Sequence, residues 1–174
     1  MLYLSVPTDV AAPDPHHLEL VADEQVEFIE GNHVFCSISG VDETDRTPEP
    51  GRTITCSTHV PISKLRTLDP EAQGVYINDV QQRMRDTIAL RAPELVEDVR
   101  LEMPGSPRTF QRFTLRSEGL VGGIPRRVGL ANYGDIFPRP FGPNLYLVGD
   151  SVFPGQSTLA TAIGGVKVAQ QLLR

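Results

Sequence analysis

The chain has little of what several function classes require. Its 174 residues include two cysteines, Cys36 and Cys56, no C-x-x-C pair, and four histidines without metal-ligand spacing. No metal is therefore assigned. Each cysteine lies in a strand-like run as a small buried thiol; the two can be neighbours across a hairpin, and in a reducing compartment no bond between them is expected. Basic residues are in the minority: 16 Lys and Arg against 22 Asp and Glu give a formal net charge of -6 and a pI near 5.2. That is the wrong sign for a nucleic-acid partner, and Arg126-Arg127 alone make no basic stripe. No apolar run approaches the roughly eighteen residues of a membrane-spanning helix, and the amino terminus lacks a basic region followed by an apolar stretch. The expected location is the cytoplasm, with at most transient membrane contact. The remaining composition, 40% hydrophobic and 22% charged, is ordinary for a globular chain long enough to bury a core.

In chain order, Met1 to Val6 reads as a strand, ended by the proline-rich loop Pro7 to Pro15. Leu18, Leu20, Val26, Phe28 and Ile29 suggest a second strand-like stretch around an acidic turn. Asn32 to Ser39 and Arg52 to Val60 alternate, with Val34, Cys36 and Ile38 on one face of the first and Ile54, Cys56 and Thr58 on one face of the second. Between them Asp42, Glu43, Asp45, Pro48 and Pro50 read as a solvated turn, since no calcium-loop spacing is present. Asp69 caps a helix with Pro70 at its first position, running to about Arg91 with Tyr76, Val80, Met84 and Ile88 as an i, i+4 row. Pro93 stops it. Val96 to Met103 is a further candidate strand.

The most informative stretch is Asn144 to Arg174. Leu145 to Val148 reads as a buried strand of an α/β sheet, Gly149 and Asp150 mark its carboxyl end, and from about Ser157 a helix follows. On that helix Leu159, Ala162, Ile163, Val166, Ala169, Leu172 and Leu173 recur at helical spacing. A strand, a glycine-containing turn and a helix start bring free N–H groups and a positive dipole end to one place, where an anionic or electron-rich ligand can sit. Ser157 or Thr158 can cap the helix, and Asp150 can accept sugar hydroxyls. An ordinary strand-ending turn with an ordinary cap accounts for the same local pattern.

The block LYLVGDSVFPGQS and its Ala/Gly-rich helix closely resemble the carboxyl-terminal FAD motif of the phytoene desaturase and carotenoid isomerase family of flavoproteins. Pro107 to Thr114 and Gly119 to Pro125 resemble the family's approach to that motif. Val34 to Pro61 resembles its substrate-domain strands, and the opening MLYLSV and His16-His17 resemble internal positions. The family's amino-terminal Rossmann unit, with G-x-G-x-x-G, has no counterpart in this chain. The succession of strands, one helix and more strands fits an α+β fold. By the resemblance, an antiparallel or mixed sheet with a packed helix forms a substrate-domain-like region, residues 1–138, and residues 139–174 are the returning strand-loop-helix of an FAD-binding α/β domain.

Carried over position by position, the resemblance implies that Gly149, Asp150, Pro154, Gly155, Gln156, Ser157, Thr158 and Leu159 face the cofactor. Asp150 would hold the ribityl hydroxyls, and the 154–159 backbone would lie against the isoalloxazine. Ser157 departs from the glycine common at its position. Gly122 and Gly123 would line the route of a lipophilic substrate, or simply turn the chain ahead of Pro125. The implied chemistry is desaturation, saturation or isomerisation of a polyene through FAD. No catalytic acid or base is named, although Tyr133, near Asn132 and Asp135, is a conceivable proton donor.

Without the adenosine-binding glycines, tight FAD binding by this chain alone is not expected. A Rossmann-bearing partner chain is then implied, as is self-association through the helix face containing Gly164-Gly165. A non-enzymatic folded fragment or assembly partner is the main alternative. A remote one is a GDS-type esterase built on Gly149-Asp150-Ser151 with Asp14 and His17, although the order of those residues is the reverse of such hydrolases.

Overall fold

A computed structural model of the chain describes residues 1–10, 16–43, 45–47, 49–120, 140–153, 155 and 157–173. They fall into two compact units, Met1–Ser106 and Pro107–Arg174. This division by packing is separate from the boundary expected near residue 138, which lies outside the described residues.

The first unit is an α+β layer pair, as expected. Five strands, β1 (Leu2–Pro7), β2 (His17–Val21), β3 (His33–Ile38), β4 (Gly51–Ser57) and β5 (Leu101–Pro104), form one sheet in the order β2-β3-β4-β1-β5. Every pairing in it is antiparallel. Alternation decides which face is covered. Leu2, Leu4, Val6, Val34, Cys36, Ile38, Ile54 and Cys56 all point to one side and are buried, because side chains along a strand change face at every residue.

Helix α2 (Pro70–Arg91) covers that side, with Met84 and Ile88 in the same cluster as the sheet residues. Fully burying such a side chain contributes about 1.5–3 kcal/mol. The whole Tyr76, Val80, Met84, Ile88 row is buried. Asp69 caps the helix through Oδ1, which accepts from the N–H groups of Glu71 and Ala72 at 2.9 Å, an arrangement worth about 1 kcal/mol. Pro93 opens a short 3-10 turn, Pro93–Leu95, whose Leu95 plugs the end of the core.

Three local expectations change. Val26 to Ile29 is a folded turn and no strand, because the Asn32 side-chain amide donates to the carbonyls of Asp23, Val26 and Glu27. Backbone groups satisfied by a side chain have no need of a ladder. The strand expected over Val96 to Met103 shortens to Leu101–Pro104. A one-and-a-half-turn helix, α1 (Ile62–Thr67), was not anticipated; it packs Leu65 with Tyr76 and Val80 of α2.

The second unit holds helix α3 (Pro107–Thr114), a 3-10 turn at Ser117–Gly119, a hairpin of β6 (Pro140–Gly142) and β7 (Leu145–Tyr146), and helix α4 (Thr158–Leu172). The buried parallel strand expected over Leu145 to Val148 is instead a two-residue antiparallel arm, with Leu145, Leu147 and Val148 exposed. An apolar run becomes a buried strand only where neighbouring strands cover it. Among the described residues no such neighbours exist.

Candidate functional site

The strand-turn-helix segment keeps its expected turn and cap. Gly149 stands at φ +123°, a conformation closed to other residues, and a Cβ built there would meet nothing within 4 Å. Backbone freedom and open space therefore coincide three residues past the end of β7. The Val152 N–H closes the following turn on the Gly149 carbonyl at 3.4 Å, and the Val152 side chain is buried as its anchor. Gly155, also at positive φ, is buried.

Ser157 is the cap of α4: its Oγ accepts from the Ala160 N–H at 3.0 Å, and its carbonyl accepts from Thr161 at 2.9 Å. Thr158 is the first helical residue rather than the cap. The N–H groups of Thr158 and Leu159 thus precede the first intrahelical donor, and they stand at the positive end of a fifteen-residue helix. Leu159 itself is exposed.

Asp150 has a partner that the sequence pattern did not indicate. Its Oδ2 accepts from Arg116 Nη2 at 2.6 Å, and its Oδ1 lies 3.4 Å from Ser151 Oγ. The carboxylate is 24% exposed and the guanidinium 38%, so the pair is partly shielded and geometrically strong. The two residues are 34 positions apart, and no periodic motif links them. Arg116 follows the end of α3 and is placed by that helix and the 3-10 turn after it.

Of the other expected site residues, Pro154 and Gln156 lie outside the described residues, as do Gly122, Gly123 and Tyr133. Of the residues named for an esterase, Ser151 Oγ lies 3.4 Å from Asp150 Oδ1 in the second unit, while in the first unit His17 stacks on Phe35 at 5.7 Å. Asp14 falls outside the described residues. Among the described residues no cluster of three or more His, Cys, Asp or Glu side chains is disposed to hold a metal ion, and no helix is long and apolar enough to cross a membrane.

One side of α4 differs from expectation. Gly164 is buried together with Val168, whereas Gly165 is half-buried and a Cβ built on it meets nothing within 4 Å. The seven apolar positions Leu159, Ala162, Ile163, Val166, Ala169, Leu172 and Leu173 are instead exposed. An amphipathic helix is built to bury its apolar stripe. Here that stripe faces outward, while Gly164 lies against the unit.

No protein-family model matches the chain. Curated relatives do. Over 175 residues the chain is 29% identical to a chloroplastic prolycopene isomerase of Arabidopsis thaliana, covering 98% of this chain and 29% of that protein. A chloroplastic prolycopene isomerase of Daucus carota is also 29% identical, over 181 residues, with 98% and 28% covered. Prolycopene isomerase 2 of an Oncidium hybrid cultivar, likewise chloroplastic, reaches 40% over 80 residues, which are 46% of this chain and 14% of that protein. The chain spans under a third of the length of these relatives.

Proposed function

We propose, from this likeness to a carboxyl-terminal part of the carotenoid isomerases of the phytoene desaturase family, that the chain supplies the closing portion of a flavin-dependent enzyme acting on a polyene. The observation that carries the reading is the coincidence, within one unit, of an open left-handed glycine, a carboxylate and an unspent helix N-terminus. FAD fits that donor set. Asp150 would hold ribityl hydroxyls, and the Thr158 and Leu159 N–H groups would face the electron-rich edge of the ring, where negative charge grows on reduction. When bound, FAD supplies the hydride or electron transfer that desaturates, saturates or isomerises the substrate.

The residues of the chain orient and polarise. Gly149 leaves the backbone room to approach a ligand, and Arg116 keeps the Asp150 side chain aimed until hydroxyl donors share its oxygens. The exposed stripe of α4 is the face that the remainder of the enzyme would cover. The adenosine-binding glycines, absent from this sequence, would come from a Rossmann-bearing chain.

Co-expression with an amino-terminal, G-x-G-x-x-G-bearing fragment of a prolycopene isomerase tests this. A co-purifying complex that releases FAD on denaturation, with the flavin lost in Asp150→Ala, supports the reading. A chain that forms no complex and retains no flavin refutes it. Turnover of a p-nitrophenyl ester abolished by Ser151→Ala would favour the hydrolase instead.

A further inference from the structure

Cys36 and Cys56 have no part in the proposed chemistry, yet the sheet sets them against each other. They are direct partners in the β3–β4 register, separated by 20 positions, with Sγ atoms 3.5 Å apart. Both side chains are 0% exposed, and both are free thiols. The ladder fixes the kind of pair they form. The Ser39 N–H donates to the Thr53 carbonyl at 2.9 Å, so that pair is hydrogen-bonded. Counting inward by the strand period of two makes Cys36 and Cys56 a non-hydrogen-bonded pair, the type whose Cα atoms come within about 4.5 Å and whose side chains lie closest. A disulfide tolerates Cα separations of about 4.4–6.8 Å. The backbone is therefore already in place for a bond, and only the side chains need to turn.

We infer that Cys36 and Cys56 are a closable dithiol: when the chain folds in the presence of a small-molecule disulfide they form an intramolecular bond that staples β3 to β4, and under reducing conditions they stand as the thiol pair seen here. The step balances. One cysteine, as thiolate, attacks the oxidant and releases one of its halves as a thiol, leaving a mixed disulfide on the protein. The second cysteine attacks the protein sulfur of that mixed disulfide and releases the other half. Two protein thiols lose two protons and two electrons, and the oxidant gains both as two thiols.

Burial decides when this happens. The Cys56 thiol is pushed well above its ordinary pKa by its contact with Cys36 and by desolvation, so it is a poor nucleophile in the folded chain, where both thiols are shielded from solvent. The bond is made while β3 and β4 are still pairing, and once made it is protected by the same core. It joins two interior strands and closes the loop that carries the Asp42 to Pro50 turn. Its effect is to remove conformations from the unfolded chain.

The test uses the full chain, unfolded and then refolded in a mixture of oxidised and reduced glutathione or in dithiothreitol. The glutathione product is expected to weigh two hydrogens less, to resist alkylation at both cysteines in denaturant, and to melt about 5–10 °C above the reduced form. Cys36→Ser should show neither the mass change nor an oxidant-dependent melting shift; if that variant does not fold, the wild-type pair of products still decides. Recovery of sheet signal with both thiols alkylatable would overturn the inference. So would intermolecular dimers as the main oxidised product, or a bond that leaves the melting temperature unchanged or lower.

Discussion

The same substitution at two glycines should move stability in opposite directions. Gly31 sits at φ +91°, with its N–H donating to Thr58 Oγ1 at 3.0 Å and its carbonyl accepting from Thr87 Oγ1 at 2.6 Å. It is pinned from both sides. A Cβ there would come within 2.8 Å of Arg83 Cβ, 2.9 Å of the Met84 nitrogen and 3.0 Å of the Val80 oxygen. Two of those atoms are backbone of α2 and cannot swing away. Gly31→Ala thus costs about 1 kcal/mol for the left-handed conformation and about 2 kcal/mol for forcing the turn off the helix. The sum, about 3 kcal/mol, corresponds to a fall of about 12 °C in the melting temperature of a domain of this size. Gly74 lies within α2, exposed, with nothing within 4 Å of a built Cβ. Gly74→Ala should therefore raise stability by about 0.8–1 kcal/mol through helix propensity alone. Thermal and urea melts followed by circular dichroism read both. A Gly31→Ala protein that melts within a degree or two of the parent would refute the account of how the 22–32 turn rests on α2, and a destabilised Gly74→Ala would refute the helix argument.

Two further outcomes are expected. Burial raises the Glu30 carboxyl, but hydrogen bonds from Lys64 and Tyr76 and the charges of Lys64 and Arg83 outweigh it and hold its pKa below the ordinary value of 4.5. Its stabilisation is then complete above that value and is lost as pH falls through the lowered one. Glu30→Gln should remove about 1–2 kcal/mol at pH 7 and flatten the acid limb of the stability profile; parallel acid limbs in parent and variant would sink the idea. On α4, the exposed Leu159, Ile163 and Val166 should drive self-association of the isolated chain. Ile163→Lys should shift its sedimentation toward monomer, and a parent already monomeric at high concentration contradicts this.

Much of the first unit was legible because its signals are local and agree with one another. The Asp69-Pro70 start, the 76-80-84-88 row and the Pro93 stop reproduce α2 to the residue, since cap, periodicity and breaker are each read over a few positions. The faces of β3 and β4 follow from alternation alone. Val26 to Ile29 misled because its apolar residues satisfy a strand pattern while Asn32, several positions on, takes the carbonyls that a strand would need. Helix α1 escaped because six residues after a proline carry too little period to register. At the candidate site, the turn at Gly149 and the Ser157 cap were legible. The Arg116 partner of Asp150 was not, for ion pairs between distant segments leave no trace in spacing. The α4 stripe was read correctly as apolar, but of its two glycines only Gly165 has open space at its Cβ, while Gly164 is buried against its own unit.

The strand order also bears on how fast the first unit can form. β1 is the earliest strand in the chain, yet its two neighbours are β4 and β5, so Leu2 must find Cys56 on one side and Pro104 on the other. Only β2, β3 and β4 join strands close in sequence. The sheet therefore closes through contacts spanning about half and nearly all of the unit, which puts its folding among slow, high-contact-order topologies, on the order of milliseconds to seconds. A nascent chain can assemble the β2-β3-β4 meander early. β1, made first, can then pair with β4, but its other edge waits for β5 (Leu101–Pro104), made about a hundred positions after it, an interval in which that edge is open to wrong partners.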